Sequence, residues 1–192
     1  MGMARYIAFL RGINVGGNKL VAMARLREVL EDLGYTDVAT LLQSGNAVFT
    51  ASKKPPQVVK DVETAIEREF GFEVKVIVRT RDELAAAIEQ NPFDDADADP
   101  SHFLVTFLSG APAKDGLAHI DPKAYLPDEF HLVGSHIYAR FPSGIGTSKL
   151  AAALGSLKIG VTPTARNWNT VKKLLALADA PTGAAGKARK TR

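Results

Sequence analysis

The sequence predicts an α+β protein of two units, each an antiparallel sheet with helices packed on one face. Three observations lead there. Over residues 5–79, apolar runs of strand period alternate with stripes of helical period in the order β-α-β-β-α-β, the split βαβ plan of ferredoxin-like folds. The less regular second half is read as a degenerate copy of the first, with β-α-β-β-α order and no residue-level repeat. The 192 residues, 46% hydrophobic and 23% charged, suffice for one core or two small ones. The expected boundaries are a ferredoxin-like first half over 1–80, a second α+β half over 81–180 that is a candidate degenerate repeat, and a disordered basic tail over 181–192.

Each element has a local reason. Tyr6-Ile7-Ala8-Phe9-Leu10 reads as a buried strand closed by Arg11. A helix follows near 22–33, with Met23, Leu26, Leu30 and Leu33 on one face and Gly34 at its end. Val38–Leu42 and Ala47–Thr50 are short strands joined through Gln43-Ser44-Gly45-Asn46. Pro55-Pro56 opens a helix whose stripe is Val59, Val62, Ile66 and Phe70. Residues 73–79 alternate as a strand, and Thr80 with Glu83 form a capping box for the helix after it. Asp94–Pro100 reads as a loop and Phe103–Leu108 as a strand. Glu129–Val133 and His136–Phe141 form a hairpin through Gly134-Ser135, a type II′ candidate. Helices are expected near 148–155 and 167–178, the latter burying Trp168, Val171, Leu175 and Ala178.

Composition excludes several chemistries. With no cysteine there is no disulfide, thiolate nucleophile or Cys-based zinc site. No apolar run reaches membrane length. Arg5 and Arg11 bracket an apolar stretch of five, too short for a signal peptide, so a cytoplasmic location without membrane association is expected. The pI of 9.1 misleads, because Lys187, Arg189, Lys190 and Arg192 supply four charges of a net +3 and leave a near-neutral body.

The densest functional signal is Gly12-Ile13-Asn14-Val15-Gly16-Gly17-Asn18. So many Gly and Asn residues call for φ > 0 or for close approach of a ligand to the backbone. A helix start just beyond, flanked by Arg11 and Lys19, makes an anion pocket there an expectation. The run is not a P-loop, since Asn18 intrudes and Leu20 has no hydroxyl for magnesium. Its glycine spacing also fails the dinucleotide fingerprint. Ser44-Gly45-Asn46 could present a hydroxyl and an amide, but taken alone it reads better as a tight turn between strands. Leu42 stands where a nucleophile elbow needs glycine. A second polar cluster, Thr164-Ala165-Arg166-Asn167-Trp168-Asn169-Thr170, reads as a helix start capped by Thr164 or Asn167. Arg166 there opposes the helix dipole and fits an acidic partner or a bound anion. His102, His119, His131 and His136 lack metal spacing, and Asp95, Asp97 and Asp99 depart from a calcium loop at Pro100 and Thr106. No metal and no cofactor is expected, and no catalytic constellation is defined.

The segment Leu10–Asn18, with Met23, Leu26 and Leu42–Phe49, resembles the bacterial domain of unknown function 1697 family. The resemblance continues through Val78-Arg79-Thr80, Asn91-Pro92-Phe93, Val105–Leu108 and Thr164–Val171. It implies a two-part α+β architecture and supplies no activity. Three functions stay open. The first is a small anionic ligand, phosphorylated or nucleotide-like, bound where the halves join by Arg11, Gly12, Asn14, Gly16, Gly17, Asn18, Ser44, Asn46, Arg166 and Asn167. The second is RNA binding, which the near-neutral body and the apolar setting of Tyr6, Phe9 and Phe49 disfavour. The third is a protein-interaction or oligomerisation module.

Overall fold

A computed structural model describes residues 2–113, 116–118 and 120–181. The basic tail from residue 182 and His119 therefore lie outside the described residues. Two units are present. Unit one comprises Met1–Ala85 and the chain from Lys173, and unit two is Ala86–Lys172.

Unit one runs β1 (Ala4–Leu10), α1 (Met23–Asp32), β2 (Thr36–Leu41), β3 (Asn46–Ala51), α2 (Pro55–Phe70) and β4 (Val76–Thr80), with the start of α3 (Arg81–Glu89). Its four strands form an antiparallel sheet in the order β2-β3-β1-β4. Tyr6, Ala8 and Leu10 of β1, Ala47, Phe49 and Ala51 of β3, and Val76 and Val78 of β4 share a core with Met23, Leu26 and Leu30 of α1 and Val58, Val62 and Ile66 of α2. On the other face Ile7, Phe9, Val48 and Ile77 are also buried. Burial on both faces is why β1 reads as a continuous apolar run instead of an alternation. The stripe of α2 is rotated by one position, with Val58 fully buried and Val59 only partly so. Gly34 and Gly71 take positive φ as α1 and α2 end. The capping box is formed, with Glu83 N donating to Thr80 Oγ1 at 3.1 Å and Thr80 N to Glu83 Oε2 at 2.7 Å.

Unit two holds β5 (Phe103–Leu108), β6 (Glu129–Val133), β7 (His136–Arg140), α4 (Lys149–Gly155), β8 (Pro163–Asn167) and the first turns of α5 (Trp168–Asp179). Its sheet, also antiparallel, has the order β6-β7-β5-β8. Leu108, Ile137, Ala139 and Phe141 pack with Leu150, Leu154, Leu157 and Ile159. Between β5 and β6, where unit one has α1, the described residues of unit two hold a short 3-10 helix (Pro122–Tyr125), and Leu117 and Ile120 reach the same core. β8 corrects the expected helix start: Arg166 and Asn167 lie on a strand, and the helix begins at Trp168. The strand escapes a periodicity reading because two of its buried positions are Thr164 and Arg166.

The two sheets repeat in register as well as in order. Ile7 faces Arg79 across β1–β4, and Val105 faces Arg166 across β5–β8. Phe9 faces Asn46 as Phe107 faces His136. The flanking bonds recur: Leu10 N to Gly45 O at 2.8 Å and Leu108 N to Ser135 O at 3.0 Å, Arg11 N to Lys75 O and Ser109 N to Thr162 O both at 2.9 Å.

Candidate functional site

In unit one, the loop after β1 and the β2–β3 turn form one hydrogen-bonded assembly. Gly16 and Gly17, at φ 59° and 76°, lie between Val15 and Asn18, which pair as an isolated β-bridge. Two successive positive φ values make a tight primed turn, the geometry for which Gly-Gly is suited. The glycines therefore build a small protruding hairpin, and α1 begins only at Met23, with Ala22 at its N-cap and no side-chain cap. No atom lies within 4 Å of a Cβ built at Gly12, Gly16 or Gly17, so conformation rather than space requires glycine there.

Asn14 ties the assembly together from φ 55°. Its Nδ2 donates to Val21 O at 3.0 Å and to Gln43 O at 2.7 Å, and its Oδ1 accepts from Val21 N at 2.8 Å. Both amide protons and the oxygen are thus engaged within the protein. Asn46 is fully buried and donates to Leu41 O at 2.8 Å and to the Ser44 hydroxyl at 3.2 Å. Gly45 is a close approach, since a Cβ there would stand 2.7 Å from Ile13 Cδ1 and 2.8 Å from Leu10 Cβ. The two asparagines and Gly45 hold the scaffold, and the outward chemistry falls to Arg11, Asn18, Lys19 and Ser44, all exposed.

Among the described residues Arg11 is exposed and without an internal partner, as is Arg68 on α2. The Arg11 backbone is anchored by Lys75 O, yet its guanidinium makes no hydrogen bond or ion pair with any described residue. Arg25, Arg81 and Arg140, by contrast, all hold carboxylates. Lys19 donates to Glu73 O at 2.7 Å and lies 5.9 Å from the centroid of Phe72.

Arg166 and Asn167 belong to unit two. Arg166 is buried and donates to Thr164 Oγ1 at 2.9 Å and Ala165 O at 2.8 Å. Burial pushes its pKa down to about 10, so it remains a cation at neutral pH. Asn167 caps α5 by accepting from Asn169 N at 3.0 Å, and its amide donates to Ser101 O at 3.3 Å. Sequence reasoning missed the counterpart of Arg166. Arg79 occupies the same register position in unit one, donates to the carbonyl before it at 3.0 Å, and is also pushed down by burial, with the Glu83 charge opposing. The signal was present as Val78-Arg79-Thr80 and Ala165-Arg166-Asn167, each at a strand end before a helix.

The acidic run is structural in its contacts. Asp95 pairs with Arg140 at 3.0 Å. Asp97 accepts from Trp168 Nε1 at 2.7 Å and from Lys172 at 2.8 Å, and Asp99 accepts from Ser101 and His102. Among the described residues no three His, Asp or Glu side chains cluster to hold a metal, and no helix is long and apolar enough to cross a membrane. Tyr6, Phe9 and Phe49, the aromatics an RNA-stacking sheet would offer, are all buried.

The sequence over residues 3–138 matches a family described as a protein of unknown function, DUF1697. The chain belongs to the DUF1697 family. A conserved bacterial protein from Streptococcus pneumoniae is similar in structure, with a TM-score of 0.72 at 22% identity, over 93% of this chain and all of that one. Likeness at that identity bears on the fold alone. No curated protein matches the sequence. The DUF1697 match ends within β7, so β8, Arg166 and α5 lie beyond it while Arg11 and the glycine loop lie inside it.

Proposed function

We propose that this DUF1697 protein binds a small anionic ligand, phosphorylated or nucleotide-like, on the loops that leave β1. Arg11 is the cation that holds it, with Gly12, Gly16, Gly17, Asn18 and Ser44 around it, and Asn14 and Asn46 setting the loop geometry. The observation that carries this reading is the exposed Arg11 guanidinium without an internal acid, on a backbone held by the Leu10 and Arg11 amides. An uncompensated guanidinium favours a planar or tetrahedral oxyanion. Arg166 and Asn167 belong to unit two, and an anion contact there is a separate proposal for that unit, resting on a buried guanidinium that donates to Thr164 Oγ1 and Ala165 O. We further read each unit as ferredoxin-like and the second as a degenerate repeat of the first, which the shared strand order and register support.

Thermal shift of the full chain against inorganic phosphate and a set of phosphorylated metabolites tests the proposal. A ligand at 100 times its Kd stabilises by ~2.7 kcal/mol, a shift of several degrees. Arg11→Ala should abolish the shift, and Arg166→Ala tests the unit-two proposal by itself, with affinities read by calorimetry. An unchanged affinity in Arg11→Ala would end the idea.

A further inference from the structure

The same two loops carry three of the most exposed large aliphatic side chains among the described residues: Val15 at 68%, Leu20 at 66% and Leu42 at 54%. Each is one residue from the Asn14 junction, since Val15 follows Asn14, Leu20 precedes Val21 and Leu42 precedes Gln43. Arg11 opens the same loop. Aliphatic groups and an unpaired cation are thus displayed together on a backbone that internal hydrogen bonds hold in place.

Two backbone positions sharpen the point. Leu42 has φ 61° and Lys19 φ 48°. Both lie in the left-handed region, where glycine or asparagine is unstrained and a long side chain is not. A leucine more than half exposed there gains little from burial. Its retention at a strained turn position is explained by what its side chain offers outward. The outlier comes first and the function is inferred from it.

We infer that the ligand of this site is an anionic amphiphile, with a phosphoryl or carboxylate head at Arg11 and an aliphatic body across Val15, Leu20 and Leu42. The inference rests on the anion-binding reading of these loops and adds the apolar half of the ligand. A simple sugar phosphate or free nucleotide would leave the aliphatic display unused. An alkyl chain removes apolar surface from water on both partners.

Calorimetry of the full chain with inorganic phosphate, butyl phosphate and octyl phosphate, each below its self-association concentration, tests the class. Octyl phosphate should bind on the order of tenfold more tightly than phosphate, the return when about two methylenes leave water. Leu20→Ser and Leu42→Asn should flatten that dependence and leave phosphate affinity unchanged. Leu42→Asn also relieves the backbone, so the variant keeps its fold. Affinity independent of chain length overturns this inference and leaves the anion reading standing. No binding of phosphate or of either ester overturns both. A chain-length gain that survives both leucine variants overturns the placement. A soluble amphiphile and a bilayer lipid share this head-and-chain chemistry. Co-sedimentation with phosphatidylglycerol vesicles but not phosphatidylcholine vesicles assigns the lipid, and octyl phosphate binding without co-sedimentation assigns the soluble ligand.

Discussion

Gly45→Ala strikes the point where the two loops lock together. The new methyl would lie 2.7 Å and 2.9 Å from Ile13 Cδ1 and Cγ1 and 2.8 Å from Leu10 Cβ. Ile13 could turn, but it is buried in the core of unit one. Leu10 Cβ cannot turn, because it rides on β1, whose Leu10 N donates to Gly45 O at 2.8 Å. A φ of 83° adds a backbone penalty of roughly 1 kcal/mol for alanine. Overpacking contributes roughly 1–3 kcal/mol more. The variant should therefore lose about 2–4 kcal/mol, a large part of the ~5–15 kcal/mol of a typical domain. Trp168 belongs to unit two, so tryptophan fluorescence follows the wrong unit. Hydrogen exchange at the Leu10 amide reports the damage directly, and urea denaturation followed by circular dichroism gives the midpoint shift. Adding Ile13→Val should recover only part of the loss, since Leu10 Cβ still obstructs. A change below about 0.5 kcal/mol, or full recovery by Ile13→Val, would refute the packing argument.

Asn14→Asp replaces two donors by a carboxylate facing Val21 O and Gln43 O, and should cost about 2–3 kcal/mol with the exchange of the Val21 amide accelerated. Thr80→Ala should cost ~1 kcal/mol by removing the acceptor of Glu83 N, measured as a midpoint shift with unchanged slope. Leu42→Asn should stabilise by roughly 1 kcal/mol, because asparagine accepts the left-handed conformation; a destabilised variant would contradict this. Lys172 and then Trp168 hold the Asp97 carboxyl below the usual range by hydrogen bonding. Its contribution is present above the unfolded value of ~4 and is lost as pH falls through the lowered folded value, so Asp97→Asn should flatten the acid limb of unit-two stability followed by Trp168 fluorescence.

Unit one was legible because its apolar residues follow the period of each element. β1, β3, α1 and α2 fall within two residues of their sequence-based limits, and the Thr80–Glu83 box marked the start of α3. β8 was not legible, because a strand whose buried positions include threonine and arginine gives no apolar alternation to read. Its identity depends on β5 beside it. At the candidate site, the glycine loop was recognisable as left-handed chain. That Gly16-Gly17 closes a hairpin, and that Asn14 and Asn46 turn their amides inward, depends on Val21, Gln43 and Leu41 as partners. Such pairings are set by tertiary approach and leave no trace in local composition. Arg79 was hidden for a similar reason, since its match to Arg166 appears only in strand register.

The discontinuity of unit one orders its birth on the ribosome. Synthesis proceeds from the N-terminus, so all of Ala86–Lys172 emerges before the stretch of α5 from Lys173 that belongs to unit one. The unit that starts first finishes last. Arg81 is made early, but its bidentate partner Asp179 is among the last described residues to appear. During that interval unit two already has its whole chain, while unit one stands without its closing helical turns. A premature stop after Lys172 would therefore spare the later unit's chain and injure the earlier one.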